Sequence, residues 1–188
     1  DMRQHVFYGA LYHWFVMFRN GDYRHFQPHR SLVVAKEFQL YLLRLLLMPL
    51  HALDRIQATL RIRYGGFPYH LALLQLEHDS SFQMHSPFGS MTDFLEVVIK
   101  GFADGAPKHH HLVFKAHPLE DGRAPIRRAI RRLAKEHGLT GRVHYVRGGK
   151  LAQLLNDTRT AVTVNSTAAQ QVLWRGIPLK VYGRAVFA

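Results

Sequence analysis

A chain of 188 residues and 21.7 kDa, 47% hydrophobic and 12% aromatic, carries enough apolar material for one large domain or two small ones, which excludes an intrinsically disordered chain. Twenty-five Lys and Arg against 13 Asp and Glu leave a net charge of +12, spread along the chain rather than gathered in a tail, so an anionic partner or substrate is expected. The absence of cysteine excludes a disulfide scaffold, a thiolate nucleophile and a cysteine metal site.

The chain opens on Asp1 rather than Met and closes just after an apolar run at Leu179 to Gly183, so it is expected to be a piece of a longer protein. No signal-peptide pattern stands at the start. An aromatic, His- and Arg-rich stretch comes first, followed by a long helical pattern from about Ser31 to Arg63. Within it Leu40 to Leu50 is about half as long as a membrane span and carries Arg44 and Pro49, so it reads as a buried or interfacial helix. A turn cluster at Tyr64-Gly-Gly-Phe-Pro68 then divides a partial helical segment, residues 1–67, from a region of different pattern, residues 68–188.

In that second region short apolar runs alternate with amphipathic helices. Leu71 to Leu76 predicts a strand, and Ser90 predicts the N-cap of a helix through Phe94, Val98 and Phe102, with Asp93 in its first turn. Leu112 to Lys115 is the next strand, followed by a helix from about Pro125 to His137 that Gly138 closes. Val143 to Val146 is a strand, Lys150 to Asn156 a short helix and Ala161 to Asn165 a strand. A helix from Thr167 to Arg175, stopped by Gly176 and Pro178, precedes a last strand at Leu179 to Tyr182. Strand and helix in regular alternation predict right-handed βαβ units: a Rossmann-like parallel sheet in an α/β domain.

In an open parallel sheet the ligand sits beyond the carboxyl ends of the strands, so the residues just after each apolar run are the informative ones. They are Glu77-His-Asp79, Lys115-Ala-His117-Pro118, Arg147-Gly-Gly149 and Asn165-Ser166-Thr167. Ser166 and Thr167 open a helix, where free N–H groups and hydroxyls suit a phosphate or carboxylate, and where plain N-capping is the equal alternative. Lys115 and His117 are two apart in extended chain and so able to reach one anion, or else are a solvated Lys and a structural His. Asp79 is a candidate base or nucleophile, with Glu77 next to it in line, although a turn-forming Asp is the more common case.

Neither GxGxxG nor GxxxxGK[ST] occurs, which argues against dinucleotide oxidoreduction and P-loop hydrolysis. His109-His110-His111 would alternate between the two faces of a strand and have no HExxH companion, so no metal site is expected. The helix from about Pro125 carries Arg127, Arg128, Arg131, Arg132 and Lys135 outside an apolar stripe. That face suits nucleic-acid phosphates or anionic lipid, and is more often the solvated side of a crossover helix.

The ordered set Gln75-x-x-x-Asp79, Ser86-Pro-Phe88, Phe114-Lys-Ala-His-Pro118, Val164-Asn-Ser-Thr167, Arg175-Gly-Ile-Pro178 and Val181-Tyr-Gly183 resembles the capsule polysaccharide synthesis family of KpsS and KpsC type. Tyr23 to Arg30 resembles the Tyr- and His-Arg-rich segment of its KpsS-like branch, and Ala168-Ala-Gln-Gln171 departs from the small residue and Gly usual there. The resemblance implies a GT-B-type glycosyltransferase that transfers Kdo from CMP-Kdo to a lipid-linked acceptor, with retention and with no cofactor beyond the donor itself. It places donor binding on Lys115, His117, Pro118, Asn165, Ser166 and Thr167, and catalysis on Asp79 and His117. It implies a cytoplasmic protein, peripheral at the inner membrane, with an anionic lipid acceptor and other capsule assembly proteins as partners and no nucleic acid. The competing reading from the residues alone is a basic nucleic-acid-binding module, for which RNP aromatics and a helix-turn-helix pattern are missing.

Overall fold

The computed structural model describes residues 2–19, 21, 33–120 and 125–187. The Tyr23 to Arg30 motif and the expected helix start at Ser31 lie outside the described residues. The chain divides into two compact units, Asp1–Leu53 and Asp54–Ala188.

The first unit is helical. Helix α1 spans Met2–Phe18 and packs on α2, Val34–Leu46. Gly9 lies under the Tyr41 ring, where any Cβ would collide, and the His13 ring leans on Tyr41 at 5.2 Å. The long helical stretch expected from about Ser31 to Arg63 holds two helices: α2 stops at Leu46 and α3 runs Met48–Tyr64. Pro49 explains the break, since its ring would strike a carbonyl of the preceding turn and it has no N–H to give; in the first turn of a new helix it is harmless. Leu42, Leu43, Leu46 and Leu50 lie at the surface rather than buried, 40% to 67% exposed. Among the described residues no helix is long and apolar enough to cross a membrane.

The second unit is an α/β layer structure. Its strands are β1 (Tyr69–Leu73), β2 (His111–Lys115), β3 (Val143–Val146), β4 (Thr158–Thr163) and β5 (Leu179–Val181), all parallel, in the order β3-β2-β1-β4-β5. Its helices are α4 (Ser80–His85), α5 (Met91–Gly105), α6 (Ile126–Glu136), α7 (Leu151–Leu155) and α8 (Gln170–Leu173), together with the part of α3 that lies in this unit. The period-two alternation of the strands sorts their side chains cleanly. Ala72, Leu112 and Phe114 join Phe94, Ile99, Ile130 and Leu133 of α5 and α6 on one face. Leu71, Leu73, Val113 and Ala161 join Ile62 of α3, Leu154 and Leu155 of α7 and Val172 of α8 on the other. Side chains such as Phe94 and Phe114, fully buried, contribute about 1.5–3 kcal/mol each to holding the layers together.

The helix ends show why the boundaries fall where they do. Ser90 and Asp93 form a reciprocal capping box at the start of α5, as their spacing predicts. Helix α6 ends at Glu136 and is closed two residues on by Gly138, whose φ of 67° suits glycine. The helix expected from Thr167 to Arg175 is instead a 3-10 turn, Thr167–Ala169, followed by the short α8. The strand expected at Ala161 to Asn165 starts earlier, at Thr158, and ends at Thr163. Likewise β1 begins at Tyr69 and stops at Leu73, three residues short of the expected Leu76.

Histidines bridge the strands away from the carboxyl ends. His70 bonds Thr160 through Nδ1 (2.7 Å) and His110 through Nε2 (2.9 Å), and His111 bonds His144 (2.8 Å) with Phe67 stacked on both rings. His110 and His111 thus turn to different partners while the His109 ring packs on His110 at 4.6 Å, and among the described residues no group of three or more metal-ligating side chains is assembled. Burial pushes His70, His110 and His111 below the ordinary histidine range and His144 down to about 4. The folded chain therefore holds fewer protons than the unfolded chain between about pH 6.5 and 4, so acid favours unfolding across that window. The melting temperature is expected to fall steadily as pH drops from about 6.5 toward 4. His144→Phe should flatten that fall, and an unchanged acid limb in the variant would exclude His144 as its source.

Candidate functional site

The sheet register aligns one rim. Val146, Lys115, Leu73, Thr163 and Val181 are successive partners across the five strands, so the residues after them emerge side by side. The chain moves from β1 outward through β2 to β3, then crosses back to β4 and β5. Right-handed crossovers in opposite directions put α5 and α6 on one face and α7 and α8 on the other, which makes the carboxyl ends of β1 and β4 the topological switch point where open sheets of this kind bind ligands.

On one side of β1 stands a cationic group. Lys115 is 5% exposed, donates to the Ala116 carbonyl at 3.1 Å and forms no ion pair among the described residues. Burial, and then the nearby Arg55 guanidinium, push its ammonium down to about 8, so at neutral pH it is still mostly a buried positive charge. Arg55 belongs to α3, three and seven residues before the inward-facing Ala58 and Ile62, hence on the same helix face. A Cβ placed on Gly148 or Gly149 would stand 3.4 or 3.5 Å from Arg55 Cδ, and both glycines have positive φ. The Arg147-Gly-Gly turn therefore makes room for that arginine.

His117 is half-buried and its Nδ1 accepts from the Leu119 amide at 3.1 Å. The proton of the neutral ring then sits on Nε2, a donor directed away from its own chain. Burial lowers its pKa, Asp79 raises it, and Lys115 and His78 lower it further. Asp79, His117 and Lys115 thus share one electrostatic neighbourhood. Asp79 itself is exposed at the start of α4, with no side-chain cap bond. Glu77 is committed differently, its carboxylate accepting the Met91 amide at 2.9 Å in the first turn of α5.

Across β1 lies an amide lock. Gln75 Nε2 donates to Asn165 Oδ1 at 2.6 Å, the Asn165 amide donates to Gln75 Oε1 at 2.9 Å, and Asn165 Nδ2 donates to the Ser81 carbonyl at 2.8 Å. Both residues are buried, so Asn165 spends its side chain on joining the segments that follow β1 and β4. Ser166 Oγ accepts from the Ala168 amide at 3.4 Å, and Thr167 is exposed. Asn165, Ser166 and Thr167 share no hydrogen bond with Lys115, His117 or Asp79 among the described residues. Gly183 closes this side: its amide bonds the Val164 carbonyl at 2.8 Å, and a Cβ there would press within 2.6 Å of the His85 carbonyl. Phe88 and Tyr182 pack edge to face beside it, at 5.5 Å. The Ser-Pro-Phe, Asn-Ser-Thr and Val-Tyr-Gly motifs, spread over almost 100 residues, meet here.

The sequence reading named Lys115, His117 and Asp79 but not Arg55 or the Gln75 partnership. A basic residue in line with the apolar stripe of α3 was the available signal for Arg55. Pro118 follows His117 and is exposed.

Residues 5–188 match the family described as Capsule polysaccharide biosynthesis protein. The chain belongs to that family. It is 40% identical over 119 residues to the capsule polysaccharide export protein KpsS of Escherichia coli, covering 63% of this chain and 31% of that protein. It is 32% identical over 184 residues to the capsule polysaccharide modification protein LipB of Neisseria meningitidis serogroup A, covering 95% of this chain and 43% of that protein. The chain therefore spans less than half the length of these relatives. Among solved structures, Thermosulfurimonas dismutans KpsC, a beta Kdo 2,7 transferase, superposes with a TM-score of 0.48 at 18% identity, over 73% of this chain and 42% of that one.

Proposed function

We propose that the chain forms the nucleotide-sugar-binding part of a GT-B-type glycosyltransferase of capsule polysaccharide biosynthesis, transferring Kdo from CMP-Kdo to a lipid-linked acceptor. The observation that carries this reading is Lys115, a buried cation at the carboxyl rim of a parallel sheet with no anion of its own among the described residues. A buried charge without a partner is costly, and a bound phosphate would supply the missing one. Family membership and the ordered motifs support an activated sugar as that anion. In the transfer the bond between the anomeric carbon and the phosphate oxygen of CMP breaks. Lys115 and the Nε2–H of His117 would take the charge growing on the departing phosphate, and Asp79 would assist at the anomeric carbon or the incoming hydroxyl. No further cofactor is required for that step.

CMP titrated into the protein at moderate salt is expected to bind, and duplex DNA to bind much more weakly; the reverse order would favour the nucleic-acid reading. His117→Ala should weaken CMP about tenfold or more with the fold intact, as loss of one charge-assisted hydrogen bond implies. Affinity should also fall as pH rises through about 8, because Lys115 loses its charge there. Parental CMP affinity in both His117→Ala and Ser166→Ala would displace the pocket.

The same reading puts the protein at the cytoplasmic face of the inner membrane, alongside other capsule assembly proteins. Exposed Leu42, Leu43, Leu46 and Leu50 together with the +12 charge support it. Vesicle binding should require anionic lipid and weaken with salt, since exposed charges are screened over about 8 Å at physiological ionic strength. Equal binding to neutral vesicles would contradict the electrostatic part.

A further inference from the structure

Strand β3 is the end of the sheet: β2 pairs with one side of it, and among the described residues its other side has no strand neighbour. Helices α3 and α6 lie on opposite faces and reach past this edge, where Arg127 grips both carboxylate oxygens of Asp54 at 2.9 and 3.1 Å. Between the two helices, beside the edge strand, is a cavity of about 360 Å³, within the usual range of about 300–1,000 Å³ for small-molecule sites.

Its lining combines three kinds of group. Arg61 enters from α3 and Arg131 from α6, and neither has an ion pair or a side-chain hydrogen bond among the described residues. Acceptors come from Asp54, whose carboxylate keeps lone pairs beyond those Arg127 uses, and from the Gln57 amide. Ala58, Ile130 and Val143 supply apolar surface. Two unpaired guanidiniums from opposite layers call for a planar anion held in a fork. An inorganic phosphate would use the guanidiniums alone. A sugar ring bearing a carboxylate would use all three, with its carboxylate on the arginines, its hydroxyls on Asp54 and Gln57, and its C–H face on the apolar surface.

We propose that this edge groove is a second binding site, separate from the carboxyl rim, for a carboxylate-bearing sugar of one or two rings. The site does not depend on the transfer reaction, because none of its residues belongs to the rim. His144, which lines the same cavity, stays neutral at physiological pH and so adds hydrogen bonding rather than further charge.

The test titrates digalacturonate, its neutral methyl ester and inorganic phosphate separately into the protein, reading affinity by calorimetry and location by amide chemical shifts. Digalacturonate is expected to shift the amides of residues 143–145 and to bind at least tenfold more tightly than the ester or phosphate. Arg61→Gln and Arg131→Gln should each weaken it about tenfold, the effect of one charge-assisted hydrogen bond. Arg128→Gln, on the same helix but outside the cavity, should bind like the parent. Ester binding equal to digalacturonate, phosphate binding as tight, or parental affinity in both groove variants would each overturn the proposal. CMP affinity, read in the same variants, should not change; a protein that fails to bind CMP but keeps the digalacturonate response loses the proposed transferase reading and keeps this one.

Discussion

Asn165→Ala is expected to remove about 3 kcal/mol of stability, a large share of the ~5–15 kcal/mol that a domain of this kind has. The substitution strands the Gln75 side-chain N–H and the Ser81 carbonyl in places where Asn165 now meets them. Each buried polar group left without a partner costs about 1–3 kcal/mol, whereas the carboxamide removed takes little apolar contact with it. Urea unfolding measures this directly as a lower midpoint at unchanged slope. Gln75→Ala should cost a similar amount, and the double variant should cost clearly less than the two together, because both remove the Gln75 Nε2 to Asn165 Oδ1 hydrogen bond. A loss below about 1 kcal/mol for Asn165→Ala, or strict additivity, would show that the amide lock is not coupled.

Asp79→Asn is expected to do the opposite: leave the fold alone and remove turnover. On the proposed function, Kdo transfer by the full-length protein should drop by at least about two orders of magnitude, the low end for loss of a positioned acid–base group, while CMP affinity changes little. The exposed position of Asp79 and its lack of a cap bond mean that the substitution costs almost nothing structurally. Its negative charge also raises the pKa of His117, so the variant should hold that ring neutral to still lower pH. Near-parental transfer would strike Asp79 from the proposed mechanism and turn attention to Glu77. That residue is less free to act, because its carboxylate already holds the first turn of α5.

Much of the sheet was legible because its strands are apolar runs closed by turn residues. Val143 to Val146 and the Ser90 cap are found where their patterns put them. Strand β4 begins three residues early because Thr158, Arg159 and Thr160 continue the ladder beside β1, and polar residues give no apolar signal for a strand. Helix α1 escaped notice since aromatic and apolar residues surround it on all sides, which erases the 3.6-residue period. Helix α4 was hidden in what reads as a turn, Asp79-Ser-Ser. In the candidate site, Lys115, His117 and Asp79 could be named because they stand at or beyond the ends of the apolar runs of β2 and β1. Arg55 offers only its place in line with the apolar stripe of α3, because its position beside Lys115 exists only after a helix from before the sheet has packed on it.

The order β3-β2-β1-β4-β5 also governs the sequence of events when the chain is made. Strand β1 leaves the ribosome first but sits at the centre, and its second neighbour, β4, begins 89 residues after it, at Thr158. Until that segment arrives, one side of β1, with Leu71 and Leu73 on one face, has no strand to pair with. Closing such a distant pairing is slow, and an unpaired apolar strand is a template for other chains. A nascent chain halted before Thr158 is thus the species most in need of a chaperone, and completion of β4 converts the open half-sheet into one that buries its own centre.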